Sequence, residues 1–184
     1  MAVRERLITY DEFDLFTQQV ENLDRNFELI HGEIVEKMPT ELHGVLVTFL
    51  IIRLGTFIEK QGSGRLVTEV RSRIPDDAHN ARQPDISYFA DDTRPVVTQG
   101  AVPLLPDLAI EVKSPSDSFV GMREKANYYL DNGSRLVWLV FPTERQIEIH
   151  TADAPITTLG MADTLTGGDV LPGFALPLHE LFKL

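Results

Sequence analysis

An α/β fold, a mixed β-sheet flanked by helices with a helix and a β-hairpin at its N-terminal end, is predicted by three features of this 184-residue sequence. The apolar runs at 108–112 and 136–141 are short, are bounded by Pro, Ser or Gly, and read as strands buried on both faces. Leu42, Val45, Leu46, Phe49, Leu50, Leu54, Phe57 and Ile58 keep a helical period, giving an apolar face wide enough to lie across a sheet. Ahead of them, two apolar–polar alternations flank the turn-forming pair His31-Gly32, the pattern of a hairpin.

In chain order, Thr9-Tyr-Asp-Glu12 fits a capping box, in which the Thr hydroxyl and the Glu carboxylate satisfy free backbone donors at a helix start. That first helix should run to about Val20, with Phe13, Phe16 and Val20 on one side. The hairpin follows over residues 27–38, and the long helix ends at Gly62-Ser63-Gly64. Residues 65–71 and 83–89 read as strands joined by a polar loop, and residues 91–103 as a loop or lid. After the strand at 108–112 comes a helix over 118–131, stopped by Asn132-Gly133, then the central strand at 136–141. The alternating segment 146–150 reads as its more exposed neighbour, the Gly- and Pro-marked remainder as strand and turn, and residues 178–184 as a short closing helix. Neither internal repeats nor low-complexity segments occur, and residues 1–184 read as one domain.

Composition narrows the chemistry. With no cysteine, disulfides, zinc-thiolate sites and thiol nucleophiles are excluded. The opening residues lack the apolar core of a signal peptide, so a cytoplasmic protein without membrane association is expected. A net charge of −11 argues against broad electrostatic attraction to nucleic acid, and any such contact should be local or metal-mediated. Arg65, Arg71, Arg73 and Arg82 bracket the segment leading to Asp85 and could form that local patch.

The strand at 108–112 carries the informative charges. Glu111 and Lys113, two residues apart, project from the same face. One reading is a buried ion pair, whose attraction often only offsets desolvation. Another is a site holding a metal and a phosphate. Asp85 lies 26 residues earlier (111 − 85) on a strand-like segment that could pair alongside. Two carboxylates with a nearby lysine suit Mg²⁺, a hard ion that takes oxygen ligands.

Pro84-Asp85 followed by Glu111-Val112-Lys113 resembles the motif of the PD-(D/E)XK nucleases, the restriction-endonuclease-like superfamily. The extended match is similar to its Uma family: Phe27-Glu-Leu-Ile-His-Gly-Glu33, His43, Gln83-Pro84-Asp85, the run 106–117, Lys125, Tyr129 and the run 132–142 appear in order. This resemblance, over residues 8–182, implies a restriction-endonuclease-like mixed sheet and a Mg²⁺-dependent (or Mn²⁺-dependent) endonuclease acting on DNA, working as a homodimer. It implies Asp85, Glu111 and Glu28 as metal ligands, Lys113 as the catalytic lysine, and His43 and Lys125 as further members of the site. At Phe141 many relatives carry Asp, so no role passes to that position.

Each residue also has a plain structural reading. Asp85 could cap a turn, Glu28 could face solvent from the hairpin, and His43 could serve a helix N-terminus. Lys125 and Tyr129, four apart on one helix face, could simply pack. Asp107 is read as a turn residue. His31, His79 and His150 follow no metal-ligand spacing. Two function classes stay open, a metal-dependent phosphodiesterase and a catalytically silent binding or assembly module on the same fold; a sugar-cleaving enzyme ranks below both, because Lys113 has no task in that chemistry.

Overall fold

The computed structural model describes residues 6–183, so the reading of residues 1–5 and the final Leu184 of the closing helix lie outside it. The order of elements is α1 (Tyr10–Thr17), a 3₁₀ turn (Val20–Asn22), β1 (Phe27–Ile30), β2 (Glu33–Glu36), α2 (Glu41–Gln61), β3 (Arg65–Thr68), β4 (Ile86–Phe89), β5 (Leu108–Val112), α3 (Phe119–Asp131), β6 (Leu136–Phe141), β7 (Gln146–Thr151), β8 (Ala154–Leu159), β9 (Thr164–Gly167), β10 (Leu171–Pro177) and α4 (Leu178–Leu181). The main sheet runs β3-β4-β5-β6-β7-β8, and its pairs are antiparallel except β5 with β6. Those two strands are parallel because α3 carries the chain back between them.

Sheet alternation sorts the core into two layers. Ile86, Ile110, Val112, Trp138 and Val140 meet Leu46, Leu50, Leu54 and Ile58 of α2, with Phe174 and Leu176 of β10 completing that layer. Ala109, Val137, Leu139 and Phe141 face the other way, onto Met122, Ala126 and Tyr129 of α3. A third, smaller cluster joins Phe13 of α1 to Phe27 and Leu29 of β1 and to Ala81. By length and composition α2 could cross a membrane, with mean hydropathy 1.6; in this fold its buried stripe packs on the sheet.

Several expectations shift by a few residues, each for a local reason. The capping box forms, but α1 stops at Thr17, because the polar run Thr17-Gln18-Gln19 gives the helix nothing further to bury. Val20 is consequently exposed rather than aligned with Phe13. The stripe on α2 is narrower than its apolar spacing implies, since Leu42 and Val45 face outward. β3 ends at Thr68 because Glu69 takes a positive φ of 51°. β4 begins only at Ile86, beyond Pro84, which has no N–H to give a ladder. The segment 146–150, expected as an exposed neighbour, is largely buried: β8 covers its edge, and Arg123 of α3 holds Glu148. Residues 91–103 are strapped down by Arg65, whose guanidinium donates to the carbonyls of Asp92 and Arg94, and by backbone bonds between Val102 and Arg71 and Arg73.

The hairpin turn uses positive φ at both His31 (51°) and Gly32 (82°), as a two-residue type I′ loop requires. Beyond it the hairpin is tied to the rest of the protein through Leu29, which exchanges two 2.9 Å backbone bonds with Ala81. That attachment lays β1 beside the chain running from Ala81 to Asp85.

Two glycines separate backbone strain from crowding. Gly62 caps α2 at φ 72° with open space around the position of a Cβ, whereas at Gly64 (φ 93°) a Cβ would lie 2.4 Å from the Tyr88 ring. Gly62→Ala should therefore cost about 1–2 kcal/mol. Gly64→Ala should add roughly 1–3 kcal/mol of overpacking. Urea unfolding midpoints of the two variants would check the order; equal losses would mean that Tyr88 yields freely.

Candidate active site

Register brings the two motif carboxylates together. β4 and β5 pair antiparallel through Ile86 with Ile110 and Ser87 with Ala109. One step further, this register sets Asp85 opposite Glu111. The backbone N–H of Val112 donates to Asp85 Oδ2 at 2.7 Å, fixing the carboxylate across the strand ends. Glu111 points to the α3 face, where the Tyr129 hydroxyl donates to its Oε1 at 2.5 Å. Both acids are almost wholly buried, at 2% exposure each.

Three other elements converge on this pair. The N-terminal turn of α2 supplies His43, whose Nε2 lies 3.0 Å from Asp85 Oδ2. From β1 comes Glu28, fully buried; its Oε1 accepts the Gln83 N–H at 2.8 Å and its Oε2 accepts from Lys125 at 2.6 Å. Lys125 of α3 also stands 3.5 Å from Glu111 Oε2. Just beyond β2, Lys37 donates to Asp85 Oδ1 at 2.5 Å and to the Gln83 carbonyl at 2.8 Å, with Glu111 Oε2 at 4.0 Å. These side chains line a cavity of about 270 Å³ whose wall continues through Met38, Pro39, Ser116 and Asp117.

Charge interleaving sets the protonation states. Burial raises the Asp85 pKa, but Lys37 and His43 outweigh it and hold the carboxyl well below its ordinary value. Being ionised, Asp85 can only accept, so the proton of the 3.0 Å contact belongs to His43 Nε2. Glu28 is likewise lowered: burial opposes ionisation, and Lys125 and Lys37 overcome it. Glu111 goes the other way. Burial pushes it up to about 7, against Lys125 and Lys37, with help from the neighbouring Asp85 and Glu28 charges. Lys37 and Lys125 are disfavoured by burial, yet the surrounding carboxylates, Glu111 foremost, raise both above the ordinary lysine value and keep them charged.

The donor set suits a hard divalent cation. Among the described residues no three His, Asp or Glu side chains already stand at metal-holding distance. The Lys37 ammonium nonetheless marks a cation position whose nearest partners are all oxygens: Asp85 Oδ1, the Gln83 carbonyl and Glu111 Oε2. Asp85 and Glu111 are the groups that would hold an ion there. Glu28, anticipated as a further ligand, has its oxygens engaged by Gln83 and Lys125, and in this arrangement it positions those groups.

Of the residues singled out from sequence, the structure thus brings Asp85, Glu111, Glu28, His43 and Lys125 together. Lys113 stands apart. It follows the last residue of β5, its ammonium donates to the Ser114 carbonyl at 3.2 Å, and it lies 5.6 Å from the centroid of the Phe119 ring. Phe119 in turn stacks on Phe141 at 5.0 Å. Asp107 accepts the Ala90 N–H, a loop-fixing role.

The arginine patch does not form as a surface. Arg71 reaches Thr17 and lies over Phe13, Arg73 covers the Tyr10 ring at 4.0 Å, Arg65 is tied to Asp92 and Arg94, and Arg82 is buried against Tyr128. Residues 71 and 73 lie outside the strands, so their shared side turns toward α1. Lys37 was missed by sequence reasoning. Its place follows from the hairpin register, which pairs Phe27 with Glu36, and from the docking of that hairpin beside Asp85. No local pattern announces either.

Comparison with known proteins identifies the fold and the family. A crystal structure from Anabaena variabilis, described as that of a "putative nuclease", superposes with a TM-score of 0.81, covering 96% of this chain and 98% of that one at 21% identity. At that identity the likeness shows the fold alone, a mixed sheet flanked by helices. Among curated proteins no match was found. Residues 10–179 match the Uma2 family, described as "Putative restriction endonuclease". That match spans most of the sequence, and this chain belongs to the Uma2 family.

Proposed function

We propose that the protein is a Mg²⁺-dependent endonuclease that hydrolyses phosphodiester bonds in DNA. The observation that carries this reading is the register of β4 and β5, which sets Asp85 against Glu111 around a cation position whose nearest partners are oxygens. A divalent ion bound there would polarise a phosphoryl oxygen and lower the pKa of an attacking water. The rest of the work falls to the chain. His43 and the Val112 N–H fix one oxygen of Asp85, and Tyr129 fixes one oxygen of Glu111, leaving Asp85 Oδ1 and Glu111 Oε2 turned toward the cation position. Lys125, held by Glu28 and charged, is the cation placed to stabilise negative charge growing on a phosphate in the cavity. Lys113, next to Phe119, serves binding of the flanking nucleic acid rather than the reacting group.

DNA is the substrate class that the family match favours, and the engagement of Arg65, Arg71, Arg73 and Arg82 within the fold restricts how it is held. With a net charge of −11 and Arg65, Arg71, Arg73 and Arg82 tied to neighbouring groups, the protein should attach through the metal and few phosphate contacts.

Ion binding should depend on pH through Glu111. Because its pKa is raised to about 7, the carboxyl must lose its proton to act as a ligand as pH rises through that value. Titration calorimetry should show Mg²⁺ affinity falling about tenfold per pH unit below the pKa, as expected for one released proton. Glu111→Gln and Asp85→Ala should abolish the heat. Equal affinity on both sides of neutrality would remove Glu111 from the ligand set.

The lysines are separable by turnover. In single-turnover cleavage of a labelled plasmid, Lys125→Met should slow the reaction roughly 100- to 1,000-fold, the scale of losing one transition-state donor. Lys113→Met should mainly weaken substrate binding. The reverse ranking would return the catalytic part to Lys113, and a folded, Mg²⁺-binding protein that cleaves no DNA would favour the binding-module reading.

A further inference from the structure

We propose that Lys37 is a built-in competitor for the divalent ion: its ammonium holds the ion's place between Asp85 and Glu111 in the metal-free protein and is expelled into the cavity when the ion enters. This rests on the metal-dependent reading given above and concerns how the ion gains access.

Three observations carry it. The acceptors around the Lys37 ammonium are Asp85 Oδ1 at 2.5 Å, the Gln83 carbonyl at 2.8 Å and Glu111 Oε2 at 4.0 Å, so lysine and ion compete for the same oxygens. Next comes charge. With all three carboxylates ionised, Glu28, Asp85 and Glu111 against Lys37 and Lys125 sum to −3 + 2 = −1, and exchanging Lys37 for a divalent ion gives −3 + 1 + 2 = 0. A divalent ion bound beside an unmoved Lys37 would crowd two cations into one buried position; exchange avoids this. Finally, the exit is open. The side chain is 17% exposed, Lys37 lines the cavity together with Met38 and Pro39, and its backbone N–H remains anchored to the Asn26 carbonyl, so the ammonium can leave while the hairpin stays.

The arrangement answers a physical need. Without a cation between them, two buried carboxylates would repel each other across the strand ends, and an uncompensated buried charge is strongly destabilising. Lys37 keeps the metal-free fold intact and, once displaced, turns a positive charge toward the cavity in which an anionic substrate would lie. Metal and phosphate should therefore bind cooperatively.

Amine labelling of the wild-type protein, read residue by residue by mass spectrometry, tests the exchange without a variant. Excess Mg²⁺ should raise the labelling rate of Lys37 about tenfold as its population shifts from paired to free, while Lys125, still held by Glu28, and the exposed Lys60 stay unchanged. By calorimetry, Lys37→Met should bind Mg²⁺ about tenfold tighter, a competitor having been removed, and Lys37→Arg should not. Constant Lys37 labelling in a protein that demonstrably binds Mg²⁺, or equal or weaker binding by Lys37→Met, would make Lys37 a permanent partner of Asp85 and overturn the proposal alone. If neither wild type nor Lys37→Met takes up Mg²⁺, the metal-dependent reading falls and this inference falls with it.

Discussion

Three carboxylates kept out of water set the terms for the rest of this structure. Glu28, Asp85 and Glu111 are each at or below 2% exposure, and a buried carboxylate without a partner costs several kcal/mol, on the order of a whole domain's margin of stability. Their counter-charges cannot come from β4 and β5, neither of which carries a basic side chain. They come from outside the sheet, Lys37 from the hairpin and Lys125 from α3, with His43 of α2 donating a hydrogen bond. Helices that cover opposite faces of the sheet are thereby joined at its edge, and the hairpin contributes both an acid and a base. An apolar plug could fill the same space with less risk, so retaining so many charges is itself a pointer to chemistry.

The same economy of cations explains how so acidic a protein could handle a polyanion. Arginines that look available in sequence are used to cover aromatic rings and tie down loops, and positive charge within the cavity is confined to a few groups. Under the proposed function, recognition relies on local geometry inside the cavity rather than on a field spread over the surface.

Much of this was legible in the residues. Periodicity located α2, bounded apolar runs located β5 and β6, and the Asn132-Gly133 stop marked the end of α3; the motif residues Asp85 and Glu111 are neighbours because antiparallel register turns a separation of 26 residues into direct opposition. Glu28 and His43 have ambiguous local patterns, since an acid between two apolar hairpin residues could face water as readily as a site. What places Glu28 inside is the bond to the Gln83 N–H, a contact across 55 residues. Lys113 shows the converse. Two-residue periodicity puts it on the side of Glu111, where Phe119 of α3 also lies, but its ammonium turns to the Ser114 carbonyl and the Phe119 ring rather than to Glu111. Lys37 carried no signal because its role exists only once two separately formed pieces have docked.

That docking has a consequence for the order of assembly. The β5–α3–β6 unit is continuous in sequence, joined through the α3 crossover, whereas Lys125 meets Glu28 across 97 residues and Lys37 meets Asp85 across 48. Closing such distances is entropically slower than forming neighbouring contacts. The hairpin, outside the main sheet and attached through Leu29 to Ala81, Gly32 to His79 and Ile8, and Glu28 to Gln83, is the piece set to arrive last and to detach first. In hydrogen exchange its amides should therefore open at lower free energy than those of β5 and β6. The protein then acquires its candidate site in one late step, and partly opened molecules with an intact sheet carry none.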